Sequence, residues 1–288
     1  MKNRILVIGG TGTTGRSVID LLQKNKADYK ALVRDKDKAK ALELEGIPTI
    51  IGTLGEWPTV ESAFNDVDTI YLVTSPVPEM FDLHKGVIDM AVKKGVRKIV
   101  CLSAEPASYS EGMPLYEQHA AADKYLQESG LKYVILRPHY FMQNIAFMHS
   151  GFIKSNSMVA QYLGDTRIPM IDVRDIAKAA YNALSLDDFD NQVFVLTGPR
   201  SINYNDVAEA LSNELGRDIQ YKSLSYEEQE AGFRSMGLPD WTVDTVMRLF
   251  KDWTDRDEHI ISEDFETITN SKATDINIFV NEHVQLFK

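Results

Sequence analysis

The residues that most restrict this chain are Gly9-Gly10-Thr11-Gly12-Thr13-Thr14-Gly15. They follow a short apolar run, Arg4–Ile8, and lead into helical spacing at Val18, Leu21 and Leu22. Strand, glycine turn and helix in that order form the context in which such a motif cradles a phosphate. It reads as Gly10-x-Gly12-x-x-Gly15 or as Gly9-x-x-Gly12-x-x-Gly15, and the physics is the same. One glycine permits the sharp turn, Gly12 lets the backbone approach a pyrophosphate, and Gly15 lets helix and strand pack closely. The helix start adds free N–H groups and a partial positive charge. A dinucleotide is the implied ligand; the alternative is a structural turn in a fold that has lost its ligand.

The first half continues the alternation. Strands are expected at Tyr29–Val33, Pro48–Ile51, Thr69–Thr74, Lys98–Leu102 and Tyr133–Leu136, several of them almost wholly apolar. Such runs suit strands covered on both faces. Helical spacing recurs at Val87, Met90 and Ala91. Strand–helix alternation with right-handed crossovers predicts an α/β, doubly wound, Rossmann-type parallel sheet. A helix over Asp172–Leu184 and a strand over Gln192–Thr197 complete it. Beyond Gly198-Pro199 the chain reads as mostly helical: Tyr204–Leu215 stops at Gly216, and Ser225-Tyr226-Glu227-Glu228 fits a capping box. Ile276, Phe279, Val280, Val284 and Phe287 share a final stripe. Gly151–Met170 lacks periodicity and is read as a crossing. The expected division is a dinucleotide-binding domain over 1–157, with 170–198 returning to it, and a small C-terminal cap over 158–288, chiefly 199–288.

Composition removes several function classes. The chain has 288 residues, a net charge of −11, one cysteine and six histidines. One cysteine excludes a disulfide framework and any Cys-based metal cluster, and no His-x-x-x-His pair occurs. No metal is expected. The negative charge argues against nucleic-acid binding by bulk electrostatics. No apolar stretch reaches the roughly 20 residues that span a bilayer, and no signal peptide is evident. A cytoplasmic protein without a nucleic-acid or membrane partner is the expectation, with a homodimer as the base-rate guess. Cys101, in an apolar run, reads as a core residue rather than a nucleophile.

The second strand's end bears on which nucleotide is taken. An acidic residue there favours the free ribose of NAD, and an arginine favours the 2′-phosphate of NADP. Arg34 comes first, then Asp35, with Lys36 and Lys38 close behind. NADP(H) is favoured over NAD(H), and the bland alternative is a solvated turn of mixed charge.

Further stretches resemble the NmrA-like group of atypical short-chain dehydrogenases/reductases. They are Ser129-Gly130-Leu131-Lys132-Tyr133-Val134-Ile135-Leu136-Arg137-Pro138, Phe141-Met142-Gln143-Asn144, Asp172-Val173-Arg174-Asp175-Ile176-Ala177 and Leu196-Thr197-Gly198-Pro199. The resemblance spans nearly the whole chain. It implies an NADP-binding domain with a substrate cap. The group includes NAD(P)H:quinone oxidoreductases and also regulators that bind the dinucleotide without known turnover. It implies Thr53 and Leu54 near the adenine, and Thr74, Ser75, Pro76 and Ser103 beside the nicotinamide half.

One departure matters. Typical short-chain dehydrogenases use a Tyr-x-x-x-Lys pair to exchange a proton with an alcohol or carbonyl. Here Tyr116 is followed four residues later by Ala120, and His119 stands where many relatives carry lysine. A quinone is a better electrophile than a ketone, and its reduced oxygen is a weaker base. Orientation of the nicotinamide then supplies much of the chemistry. His119 and His139 are the candidate proton-assisting groups; the alternatives are a ribose hydrogen bond for His119 and a pocket wall or core position for His139. Ser103, without a nucleophile-elbow motif, reads as a hydrogen-bond donor to cofactor or substrate. Tyr109, Tyr140, Phe141, Asn144 and Trp241 are the substrate-side candidates, Tyr140 also touching the cofactor, and flat apolar walls suit a planar small molecule. The expected function is NADP(H)-dependent reduction of a quinone-like or other small electrophile. The alternative is a non-catalytic NADP(H) sensor acting through a protein partner.

Overall fold

The computed structural model describes residues 3–256 and 260–288. In chain order the first stretch runs β1 (Arg4–Ile8), α1 (Thr13–Lys24), β2 (Asp28–Val33), α2 (Lys36–Leu44), β3 (Thr49–Ile51), α3 (Trp57–Val60), β4 (Thr69–Leu72), α4 (Met80–Lys94), β5 (Lys98–Leu102), α5 (Pro114–Glu128) and β6 (Lys132–Pro138). Then come α6 (Gln143–Asn156) and β7 (Met158–Gln161), followed by α7 (Val173–Ser185) and β8 (Gln192–Leu196). The remainder is α8 (Tyr204–Leu215), β9 (Gln220–Ser223), α9 (Tyr226–Ser235), α10 (Asp240–Asp255), α11 (Asp264–Thr269) and α12 (Ile276–Glu282).

The chain forms two compact units. The first comprises everything through Pro138, Val173–Leu196 and Asp264–Asn270. Its sheet has seven parallel strands in the order β3-β2-β1-β4-β5-β6-β8. Every residue of β4 and β5 is buried, which explains why all but their first residues, Thr69 and Lys98, are apolar: helices cover both faces. Leu6, Ile70 and Ile99 from three adjacent strands meet Val87 and Ala91 of α4 in one core cluster, and Cys101 lies in it. The strand order reverses between β1 and β4. Ligands of open α/β sheets bind beyond the strand ends at such a point.

The second unit comprises His139–Asp172, Thr197–Glu263 and Ser271–Lys288. Two of its helices carry capping boxes: Asn203 and Asp206 form a reciprocal box on α8, and Ser225 and Glu228 do so on α9. A two-stranded parallel sheet, β7–β9, lies beside α8.

Three expectations need correction. The chain leaves the first unit after Pro138, not at 157, because the buried side of α6 (Ile145, His149, Ile153) belongs with β7. The return spans Val173–Leu196, and Asp264–Asn270 joins the first unit too. There Asp264 accepts the Val195 N–H at 2.6 Å, and Asn182 donates to the Ile268 carbonyl at 2.8 Å. Finally, the segment read as an aperiodic crossing holds the end of α6 and the whole of β7.

Candidate active site

The first unit's cleft opens at the reversal between β1 and β4. Gly9 has φ +84°, and a Cβ there would lie 2.4 Å from the Val73 carbonyl oxygen. A Cβ on Gly15 would lie 2.2 Å from the Gly9 oxygen, so only glycine lets α1 approach β1 this closely. The turn closes with the Gly12 N–H donating to the Gly9 oxygen at 3.0 Å. Gly12 is the N-cap of α1, with no side chain capping the helix among the described residues and no acid in its first turn. The leading N–H groups of Thr13, Thr14 and Gly15 are therefore available to an anion, which the helix dipole favours.

The cleft holds about 200 Å³ of open space. Gly9 and Thr11 line it from the glycine turn, Arg34 and Lys38 from the end of β2 and the start of α2, Thr53 and Leu54 from the end of β3, and Thr74 and Ser75 from the end of β4. The exposed Pro76 follows in the same loop. Asp35 is the N-cap of α2 and accepts the Lys38 N–H at 2.8 Å. One of its carboxylate oxygens, Oδ1, is engaged in that cap. Arg34 is exposed and makes no ion pair among the described residues. An unpaired guanidinium at the end of β2 suits a phosphate.

At the other end of the cleft, Thr74 Oγ1 and His84 Nε2 are 3.0 Å apart, and His84 Nδ1 is 3.8 Å from Cys101 Sγ. Burial pushes His84 down to about 4. The His119 ring stacks near Tyr116 (centroids 6.2 Å apart) and stands edge-on to His84 at 6.5 Å. Burial, then the positive fields of His84 and Arg137, push His119 down to about 3. It is neutral at neutral pH. It can donate or accept a hydrogen bond but is a poor source of a proton.

Ser103, immediately past β5, donates its hydroxyl to Asp123 Oδ2 at 2.9 Å. Arg137 Nε and Nη2 each reach the same oxygen at 2.9 Å. Asp123 Oδ1 is buried with no donor among the described residues. Burial raises Asp123 to about 6 against the opposing pull of Arg137 and Ser103. These bonds correct the expected role of Ser103. Its one hydrogen is already given away, so towards a further partner it is an acceptor. Tyr109, in the same unit, donates its hydroxyl to Glu105 Oε2 at 2.5 Å.

The other substrate-side candidates lie in the second unit. The Tyr140 hydroxyl is 3.8 Å from Met148 Sδ, and its ring meets Phe250 and Trp253 edge-on. Burial raises this phenol. Phe141 bridges to Ile171, Asn144 sits in the first turn of α6, and Trp241 sits half-buried in the first turn of α10. His139 is 4% exposed, stacked on Trp253 at 4.8 Å, and its Nδ1 accepts the Tyr140 N–H at 2.8 Å. These contacts are compatible with the core position given as its alternative.

A family model described as the NmrA-like family matches residues 1–266. The chain belongs to the NmrA-like family. Over 246 residues this NmrA-like protein is 34% identical to an NAD(P)H azoreductase of Xenophilus azovorans, covering 85% of this chain and 86% of that one. It is 28% identical to quinone oxidoreductase 2 of Escherichia coli (strain K12), over 84% and 85% of the two chains. The crystal structure of NADPH-dependent quinone oxidoreductase QOR2 of Escherichia coli complexed with NADPH superposes with a TM-score of 0.85 at 25% identity, covering 97% and 99%. Triphenylmethane reductase of Citrobacter sp. shares the fold at 21% identity, with a TM-score of 0.84 and 97% and 99% coverage.

Three polar residues of this NmrA-like protein escaped the sequence reading: His84, Asp123 and Arg137. A signal for Asp123 was present, since it stands four residues after His119 and so shares its helix face. Arg137 lay inside a quoted motif, but its partner fourteen residues earlier is set by the packing of β6 beside α5. Among the described residues no group of three or more His, Cys, Asp or Glu is placed to hold a metal ion, and no helix is long and apolar enough to cross a membrane.

Proposed function

We propose that this chain is an NADPH-dependent reductase of quinones or related small electrophiles such as azo compounds. The observation that carries the cofactor is the pairing at the end of β2, where Arg34 is free and Asp35 is held by α2. The uncapped start of α1 fits a pyrophosphate, and the room beside Gly12 fits its close approach. The azoreductase and quinone oxidoreductase relatives support the reaction class.

Bound NADPH supplies a hydride. The N–H groups of Thr13, Thr14 and Gly15 would hold the pyrophosphate, while Arg34 and Lys38 would hold the 2′-phosphate. Thr53 and Leu54 would flank the adenine. Thr74, Ser75, Ser103 and His119 would border the nicotinamide end, where His119 serves as a neutral hydrogen-bonding group. With no Tyr-x-x-x-Lys pair and a histidine that holds no spare proton, the proton completing the reduced product comes from solvent. This favours acceptors whose reduced form is a weak base. In the first unit, Tyr109 would be a substrate-side residue.

Stopped-flow loss of the reduced-nicotinamide absorbance with quinones and azo dyes tests the reading. Turnover with at least one acceptor, faster with NADPH than NADH, is the expected result. No turnover above background with any of them overturns it.

A further inference from the structure

Helix α4 buries Met80, His84, Val87, Ile88 and Ala91 along one stripe, and His84 is the polar member of it. A buried imidazole costs stability unless its ring nitrogens find partners. Both do. Nε2 lies 3.0 Å from Thr74 Oγ1, and Nδ1 lies 3.8 Å from Cys101 Sγ. Thr74 lines the cleft just beyond β4, and Cys101 belongs to the core cluster under the sheet. The histidine therefore links a buried thiol to a hydroxyl on the cleft wall.

A neutral imidazole carries one hydrogen, so one nitrogen donates and the other accepts. Burial keeps His84 neutral down to about 4 and holds the thiol protonated. His119, edge-on to His84, is neutral too and adds no charge. Sulfur is a weak acceptor, whereas an imidazole nitrogen accepts well from an S–H. Nδ1 thus accepts from Cys101, and the ring hydrogen sits on Nε2 and is donated to Thr74 Oγ1. A hydroxyl that accepts from the protein keeps its own hydrogen for another partner, and among the described residues Thr74 Oγ1 has no partner but His84. Resting on the reductase reading above, we propose that His84 is a positioning residue for the cofactor: it fixes Thr74 as a hydrogen-bond donor towards an acceptor atom of bound NADPH, with Cys101 selecting the ring tautomer that does so.

The relay sets the sense of the hydroxyl before the ligand arrives. A free threonine hydroxyl would turn either its hydrogen or a lone pair to the cleft, and it would lose that freedom on binding. Held by His84, it gives up none. The effect falls on nucleotide affinity, because Thr74 borders the cofactor and not the bond that is reduced.

The test uses the full chain and reads His84 directly. In protein labelled with heavy nitrogen at histidine, NMR spectra are expected to show a hydrogen on Nε2 and none on Nδ1, with and without NADPH; the His84 signals are those lost in His84→Gln. The S–H band of the Raman spectrum belongs to Cys101 alone, since the chain has one cysteine, and it is expected to move to the position of a free thiol in His84→Leu. Calorimetric titration is expected to give NADPH binding about tenfold weaker in Thr74→Val and about threefold weaker in His84→Leu. The double variant is expected to be no weaker than Thr74→Val alone, because His84 acts through Thr74. His84→Gln, whose amide N–H replaces the ring donor, recovers most of the His84→Leu loss. Thermal melts establish that each variant is folded, and the wild-type tautomer decides the matter even where one is not. A hydrogen on Nδ1, an unmoved S–H band, a Thr74→Val affinity within about twofold of wild type, or losses that multiply in the double variant each overturn the proposal. A wild type that binds no NADPH overturns the reductase reading and this inference with it; NADPH binding with the hydrogen on Nδ1 overturns this inference alone.

Discussion

Asp35 accepts the backbone N–H of Lys38 at 2.8 Å through Oδ1, while its neighbour Arg34 makes no ion pair among the described residues. The guanidinium is thus open to a phosphate. Arg34→Ala is expected to weaken NADPH binding about 10–100-fold, the effect of losing a charged hydrogen bond, while NADH affinity changes little. Calorimetric titration with both nucleotides checks this. Equal losses for the two would show that Arg34 does not contact the extra phosphate.

Gly15→Ala places a methyl group 2.2 Å from a backbone oxygen that no rotamer can move. The glycine turn must shift, so the variant is expected to lose about 1–3 kcal/mol of stability, as overpacked cores do, and to lose dinucleotide binding. Urea unfolding followed by circular dichroism measures the first effect. A variant with unchanged midpoint and affinity would mean that the turn is looser than described.

Acid should destabilise the fold. His84 and His149 are 1% and 5% exposed, and burial lowers both to about 4. Unfolded, each takes a proton below about 6.5. Their stabilisation is therefore complete above that value and lost as pH falls towards 4. Asp123 opposes them: raised to about 6, it is protonated first in the folded state and adds stability as pH falls below that point. With His119, which burial lowers to about 3, three histidines against one carboxyl leave a net excess of roughly two protons on the unfolded state, about 2.7 kcal/mol per pH unit at the steepest. The urea midpoint should thus drop between about pH 6.5 and pH 4. A level or rising midpoint contradicts the buried, neutral histidines.

Lys98 is fully buried at the start of β5, its Nζ donating to the Leu186 carbonyl at 2.7 Å and to Asp187 at 3.2 Å. Lys98→Met fills the same space but leaves that carbonyl without its donor. The expected cost is about 1–3 kcal/mol of unfolding free energy with NADPH affinity retained, because the site lies at the opposite end of the strand. Impaired nucleotide binding in a folded variant would contradict that separation.

The elements legible in the sequence are those whose burial is uniform along the chain. β1, β4 and β5 are covered on both faces, so each appears as an apolar run after its first residue; the glycine turn is local, so its residues declare it. β9 shows three exposed residues among Gln220, Tyr221, Lys222 and Ser223 and offered no alternation to detect. α6 exposes Phe147 and Phe152, which blurred its stripe. The polar contacts at the site join residues far apart in sequence, as with Ser103 and Asp123 or Thr74 and His84. Only the packed sheet brings them together, so neighbouring residues carry no trace of them. The stacking of His139 on Trp253 is likewise absent from the sequence, because the two residues stand far apart along the chain.

The chain passes between its two units after Pro138, Asp172, Leu196, Glu263 and Asn270. No single cut releases either one whole, and transplanting the second onto another scaffold would require a splice at every one of those joints. Recombination is therefore a poor route to new substrate preferences in a molecule threaded like this. Change by point substitution, with both halves always made and inherited together, is the route its topology leaves open.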